Sequence, residues 1–310
     1  MPSGKPSKAL LTIASLFTVA AVGAAACLLS RLGQMPIGVT MFLLGLSLGP
    51  CLAAYALAPL RLKQRARRLV LFTGGLSILV FSLLASANLD LEGFFLLLFE
   101  GVMGAAIGHT MATLVVGPLF FGRVLCGWGC WRAMVLELLP VGRGKGRRVG
   151  IWRFLPFAGL GAVFGAAALS FFAFGHRAGG APGSLGSAGT KSLLIGFGVY
   201  YAASIGLAFA VNDQRAFCKY LCPSAAALRL TSRLSLLKMA TNRRVCNGCG
   251  ACSRVCPMDI DVRAFAESGR RVRSGECILC QRCAQVCPTG AVAPGFGLDM
   301  ARRTPFTQFD

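Results

Sequence analysis

Eight cysteines are crowded into residues 246–287, in two runs of identical spacing. The first reads Cys246-x2-Cys249-x2-Cys252-x3-Cys256-Pro257, and the second Cys277-x2-Cys280-x2-Cys283-x3-Cys287-Pro288. No other stretch restricts the fold as tightly. Three thiolates at this spacing wrap three irons of one cubane cluster, with a fourth cysteine just before a proline. Zinc and disulfides are the competing readings. Zinc is commonly held by two Cys-x2-Cys pairs and has no use for a third cysteine two residues further on. Disulfides need an oxidising compartment. Two full copies of the run therefore point to two 4Fe–4S clusters.

Over about residues 243–295 the chain resembles the two-cluster bacterial-type ferredoxins. In such proteins the fourth cysteine of each run ligates the other cluster. The resemblance thus implies one cluster on Cys246, Cys249, Cys252 and Cys287, and another on Cys277, Cys280, Cys283 and Cys256.

The rest of the 310 residues is apolar, with 55% hydrophobic residues overall and a mean hydropathy of +0.66. That composition belongs to a polytopic membrane protein and not to a soluble domain. The net charge of +21 lies mostly in loops between apolar runs, which is how membrane topology is written, so nucleic-acid binding is excluded. Six stretches are long enough to span: about 9–30, 37–60, 69–87, 94–121, 154–175 and 192–211. Gly104-x3-Gly108 and Gly161-x3-Gly165 are expected to be close-packing faces between helices. Gly159-Leu-Gly161 is no nucleotide loop, since it lies inside an apolar run with no strand before it.

Orientation follows from Lys and Arg. Lys5 and Lys8 precede span one; Arg61, Lys63, Arg65, Arg67 and Arg68 follow span two; Arg123, Arg132, Arg143, Lys145, Arg147 and Arg148 follow span four; Arg215, Lys219, Arg229 and Arg233 follow span six. The alternate connections carry only Arg31, then Asp90 and Glu92, then a Gly/Ser-rich segment. Both termini and the cysteine-rich domain are therefore expected on the cytoplasmic side of a bacterial inner membrane, in the reducing compartment. Ala24-Ala25-Ala26-Cys27 faintly resembles a lipoprotein cleavage site, but the apolar run is long for a signal and reads as a retained helix.

A second cysteine pattern is an internal repeat. Residues 123–130 read Arg-Val-Leu-Cys-Gly-Trp-Gly-Cys, and residues 215–222 read Arg-Ala-Phe-Cys-Lys-Tyr-Leu-Cys. On a helix, positions i and i+4 share a face, so Cys126 with Cys130, and Cys218 with Cys222, would present paired sulfurs. Two such pairs could supply four thiolates to a third redox centre or metal site. The alternative is four buried free cysteines. Two ionisable residues lie within the apolar spans, Glu100 and His109, and they are expected on opposite faces of span four. As a proton acceptor within the membrane, His109 is the first candidate. Residues 224–239 read as a basic amphipathic helix on the cytoplasmic leaflet, and 131–140 as its counterpart.

The duplicated Cys-x3-Cys, with Cys218-x3-Cys222-Pro223 matching directly, resembles the membrane polyferredoxins: NapH-type quinol dehydrogenase subunits, the membrane part of NosR, and CcoG-like proteins. In the first copy Trp131 stands where that family has proline. The resemblance, over roughly 94–295, implies electron transfer between the quinone pool and a redox protein partner. The expected fold is an all-α polytopic membrane bundle of about six helices (residues 1–240), followed by a small α+β two-cluster ferredoxin domain (241–310). A CcoG-like assembly or regulatory factor, reducing a metal or sensing redox state, is the rival reading. An inert anchor for a soluble partner is a third.

Overall fold

The computed structural model describes residues 48–84, 90–101, 105–142, 144, 152, 154–175 and 188–298. Span one, Lys5, Lys8, Arg31, the segment 1–27 and Gly104 lie outside the described residues. The helices before the cysteine-rich domain are α1 (Leu48–Leu57), α2 (Leu60–Leu84), α3 (Leu91–Phe99), α4 (Ala105–Met111), α5 (Gly117–Phe121), α6 (Val124–Trp128), α7 (Trp131–Leu136), α8 (Leu155–Phe174), α9 (Ala188–Val211), α10 (Ala216–Tyr220) and α11 (Pro223–Ser232). A π-helical turn, Ala112–Val116, joins α4 to α5. The remainder is β1 (Leu237–Thr241), α12 (Ala251–Arg254), α13 (Val262–Ser268), α14 (Arg282–Gln285) and β2 (Val292–Phe296).

Among the described residues two helical segments are long and apolar enough to cross a membrane, Leu155–Phe174 and Leu194–Val211. A third candidate is the pair of apolar runs Ile107–Phe121 and Val124–Leu136, which meet at a 93° bend. Gly122 stands at that bend with φ +59, a conformation that costs glycine little. Span four is therefore not one continuous helix: α3 ends at Phe99, Glu100 caps it, and Gly101 turns the chain at φ +69. Glu100 and His109 consequently sit on separate helices, and the expectation of two faces of one helix does not apply.

The chain divides into two compact units. The first draws on Met1–Ile107, Trp128–Pro140 and Phe164–Gly206. Here α7 packs along α2, with Leu71, Ala133 and Met134 forming a buried apolar cluster. Close approach is possible because α2 carries Gly74 and Gly75: a Cβ on Gly75 would lie 2.9 Å from the Cα of Trp131. Buried Arg67 pairs with buried Glu137 at 2.5 Å. Arg132 pairs with Asp90 at 2.7 Å and stacks over the rings of Trp131 and Tyr200, 4.5 and 3.9 Å from their centroids. The charge pattern assigns Asp90 and Arg132 to opposite faces of a slab about 30 Å thick. In the structure the two are joined by the ion pair.

The second unit draws on Gly108–Gly127, Val141–Val163 and Leu207–Asp310. Its two strands pair antiparallel, from Leu237 opposite Phe296 to Thr241 opposite Val292. The expected helix over 224–239 stops at Ser232, and residues 237–241 form β1 instead. The apolar period of α11 does continue numerically into Leu237 and Met239. Pairing with a strand more than fifty residues downstream wins over it, and buried Met239 then faces the cysteine-rich domain. The expected glycine faces are also corrected: among the described residues nothing lies within 4 Å of a Cβ placed on Gly108, Gly161 or Gly165. Close contact falls at Gly159 instead, where a Cβ would sit 2.4 Å from the Leu221 carbonyl oxygen.

Candidate iron–sulfur site

The two cysteine runs fold alike. In each, a short helix begins two residues after the second cysteine, behind a residue with positive φ: Gly250 (+70) before α12, and Gln281 (+58) before α14. Both helices end at the third cysteine's turn, which returns the chain to the fourth. A small pocket is lined by Cys256, Cys277, Cys280 and Cys283. These are the last cysteine of the first run and the first three of the second. The other walls are apolar, including Met239, Met258, Ile260 and Ile278. Burial pushes the thiol of Cys277 up to about 12, and those of Cys256 and Cys283 also up. Each of these three thiols feels other members of the four. A buried thiol of this kind gives up its proton readily only to a metal.

The other four differ in exposure. Cys249 is exposed, Cys246 and Cys287 are partly so, and only Cys252 is buried. Cys287 is the cysteine that Cys252 feels from the other run. Burial raises the Cys287 thiol, but hydrogen bonds from Thr289 and from the backbone N–H of Ala291 outweigh it and leave it below the ordinary value. Among the described residues no three His, Cys, Asp or Glu side chains converge tightly enough for a single metal ion. A cubane spreads its four ligands more widely than one ion does. The donor set, four sulfurs around an apolar cavity, fits an iron–sulfur cluster.

The repeated Cys-x3-Cys motifs share a geometry that differs from the expected helix face. Cys126 lies inside α6, whereas Cys130 is the extended residue before α7 (φ −76, ψ 122). Cys218 lies inside α10, and Cys222 is the extended residue before α11 (φ −60, ψ 117). Pro223 explains the second break, because a residue before proline is held out of the helical region. Cys130 packs beside the apolar cluster of the first unit. Cys126, Cys218 and Cys222 belong to the second unit.

There the motif arginines cross over. Arg215 of the second motif donates to the Cys126 carbonyl at 3.0 Å and approaches Cys218 Sγ at 3.9 Å. Burial works against the charge of Arg123, but Cys126, Glu276 and Cys222 together hold its pKa above the ordinary value. Arg123 also reaches the second cysteine run, donating to Glu276 at 2.7 Å and to the Gly275 carbonyl at 3.3 Å. Arg229 pairs with the same Glu276. Burial raises the Cys218 thiol against the pull of Arg215.

The residue after the first cysteine does equivalent work in both motifs. In the first it is Gly127, where a Cβ would lie 2.2 Å from the Ile278 carbonyl oxygen, next to Cys277. In the second it is Lys219, fully buried between Asp213 and Asp259 at 2.5 Å each, with Asp259 just beyond Cys256. One motif meets the cysteine-rich domain through a missing side chain and the other through an ion pair. Sequence reasoning missed Gly127, Lys219, Asp259 and Glu276. The available signal was a lysine inside an otherwise apolar motif. His109 lies on α4, half-buried, and its carbonyl accepts from Thr113. No described contact joins it to a cysteine.

Comparison with known proteins matches these two regions. A 4Fe-4S dicluster domain model covers residues 238–288, and a 4Fe-4S binding domain model covers 104–148 and 195–242, one match on each repeat. The chain is 36% identical over 78 residues to the putative electron transport protein YccM of Escherichia coli, covering 25% of this chain and 21% of that one. It is 32% identical over 105 residues to the ferredoxin-type protein NapH of E. coli, covering 31% and 36%. It is 29% identical over 175 residues to the methylamine utilization ferredoxin-type protein MauN of Methylorubrum extorquens, covering 51% and 56%. The chain thus spans from about a fifth to just over half the length of these relatives. No solved structure matches. The cysteine runs and the two family models define an iron–sulfur-binding protein. The matches support a membrane polyferredoxin-like family with a ferredoxin domain.

Proposed function

We propose that this chain relays electrons one at a time between the membrane quinone pool and a redox protein partner. One 4Fe–4S cluster is held by Cys277, Cys280, Cys283 and Cys256, the other by Cys246, Cys249, Cys252 and Cys287. Each cluster supplies a one-electron couple. The observation that carries the reading is the contact of the second cysteine run with the repeated motifs, through Arg123–Glu276, Gly127 against Ile278, and Lys219–Asp259. The buried cluster is then the one next to the membrane motifs, and the exposed cluster is the outer one. Cys126, Cys130, Cys218 and Cys222 are carried as the ligands of a third centre between quinone and ferredoxin, with His109 as the quinol proton acceptor. The ferredoxin domain and both termini lie in the cytoplasm.

The test is quinol reduction of the purified full chain, read by EPR. The wild type should hold about eight irons in two clusters, both reducible by quinol, plus those of any third centre. Cys222→Ser should spare both ferredoxin clusters and abolish their reduction by quinol. If Cys126→Ser and Cys222→Ser both keep wild-type metal content and quinol-dependent reduction, the motifs are structural and the relay is wrong. Redox-active clusters with no quinol turnover would favour the assembly or regulatory reading.

A further inference from the structure

The exposed cysteine run carries a charged rim that the relay reading does not use. Arg243, Arg244, Arg254, Arg263 and Arg270 are all exposed around it, against only Asp261 and Glu267 as exposed acids in the same stretch. They belong to one surface. Arg254 donates to the Cys249 carbonyl at 2.9 Å. The side chains of Arg254 and Arg263 both lie within 4 Å of the Cβ position of Gly250, and that of Arg243 meets Gly269 at the end of α13. Asp261 is already engaged by Ser253 and the Ala264 N–H, and Glu267 by Arg263. Val245 and Val286 add exposed apolar surface, 44% and 39% accessible. A basic rim with a small apolar centre, set around an exposed cysteine, steers an oppositely charged protein and lets it dock briefly.

We propose that this face is the docking surface for an acidic one-electron carrier protein, which exchanges electrons with the outer cluster. The proposal rests on the relay reading only in needing a cluster on Cys246, Cys249, Cys252 and Cys287. In the exchange one electron leaves the reduced carrier and one cluster gains it, with no bond made or broken.

The probe is a pre-reduced acidic flavodoxin mixed with the full-length protein in nanodiscs of neutral lipid. The rate of cluster reduction should fall at least about tenfold between low salt and 0.5 M salt, as steered association does. Arg243→Glu with Arg244→Glu should lower the low-salt rate by a similar factor. Methyl viologen radical cation, which needs no docking, should reduce the clusters of that variant as fast as those of the wild type. A salt-independent wild-type rate overturns the proposal, as does a wild-type rate in the variant. So does a charge dependence that appears only when the nanodisc contains phosphatidylglycerol, which would make the face a lipid contact. Clusters reduced by flavodoxin but never by quinol would sink the quinone relay while leaving this surface standing.

Discussion

Lys219 has no exposed side-chain surface and holds two carboxylates at once. Removing one member of a buried ion pair leaves an uncompensated charge, at a cost of roughly 3–5 kcal/mol. Lys219→Met should therefore destabilise the protein by about that amount, read as detergent-phase thermal stability, and loosen the cysteine-rich domain. Adding Asp213→Asn and Asp259→Asn should restore most of the loss. The Arg263–Glu267 pair is the comparison. It is about half exposed on both sides, and an exposed i,i+4 pair is worth only about 0.3–0.5 kcal/mol, so Arg263→Met should be nearly silent in the same assay. If the two substitutions behave alike, the buried triad does not hold the units of the motif and domain together. The lysine was visible in the motif, but its partners were not. The cysteines could be placed because their spacing is local chemistry, whereas the partners of Lys219 lie 6 and 40 residues away.

At the scale of elements, the repeat was visible and its geometry was not. An i,i+4 rule assumes a continuous helix, but Cys222 precedes Pro223 and so breaks one. The first motif breaks the same way without a proline, at Gly129 and Cys130, where glycine is the local breaker. The glycines divide along similar lines. Gly127→Ala should separate α6 from the loop at Ile278, since 2.2 Å to a carbonyl oxygen leaves no room. It should lower thermal stability and slow electron delivery into the buried cluster. Gly161→Ala, in open space within α8, should be neutral or stabilising by up to about 1 kcal/mol. Equal effects of the two substitutions would mean that the close approach at Gly127 is not a docking contact. The strand β1 was misread for the same reason, since its partner is distant in sequence.

For the whole molecule, composition announced apolar helices, while the count of spans rested on length and charge alone. Reporter fusions after residue 65 and at the C-terminus should read cytoplasmic, and one after residue 183 should read external. The Asp90–Arg132 pair adds a sharper expectation. Asp90→Cys, in a chain where it can be labelled selectively, should resist a membrane-impermeant thiol reagent applied from outside. Ready labelling from outside would place residue 90 on the outer face, as the charge pattern expects. Charge counting assigns each loop a side without asking which loops fold back.

The pairing of β1 with β2 also sets a schedule for making the protein. The first strand has no strand to pair with until Val292–Phe296 is made. All eight cysteines of residues 246–287 precede that strand. At about 5–20 residues per second, the stretch from Cys246 to Phe296 takes roughly 3–10 s to synthesise. Both cysteine runs are thus fully synthesised before the strand pair that closes the domain can form, so closure of the sheet follows them in the order of synthesis.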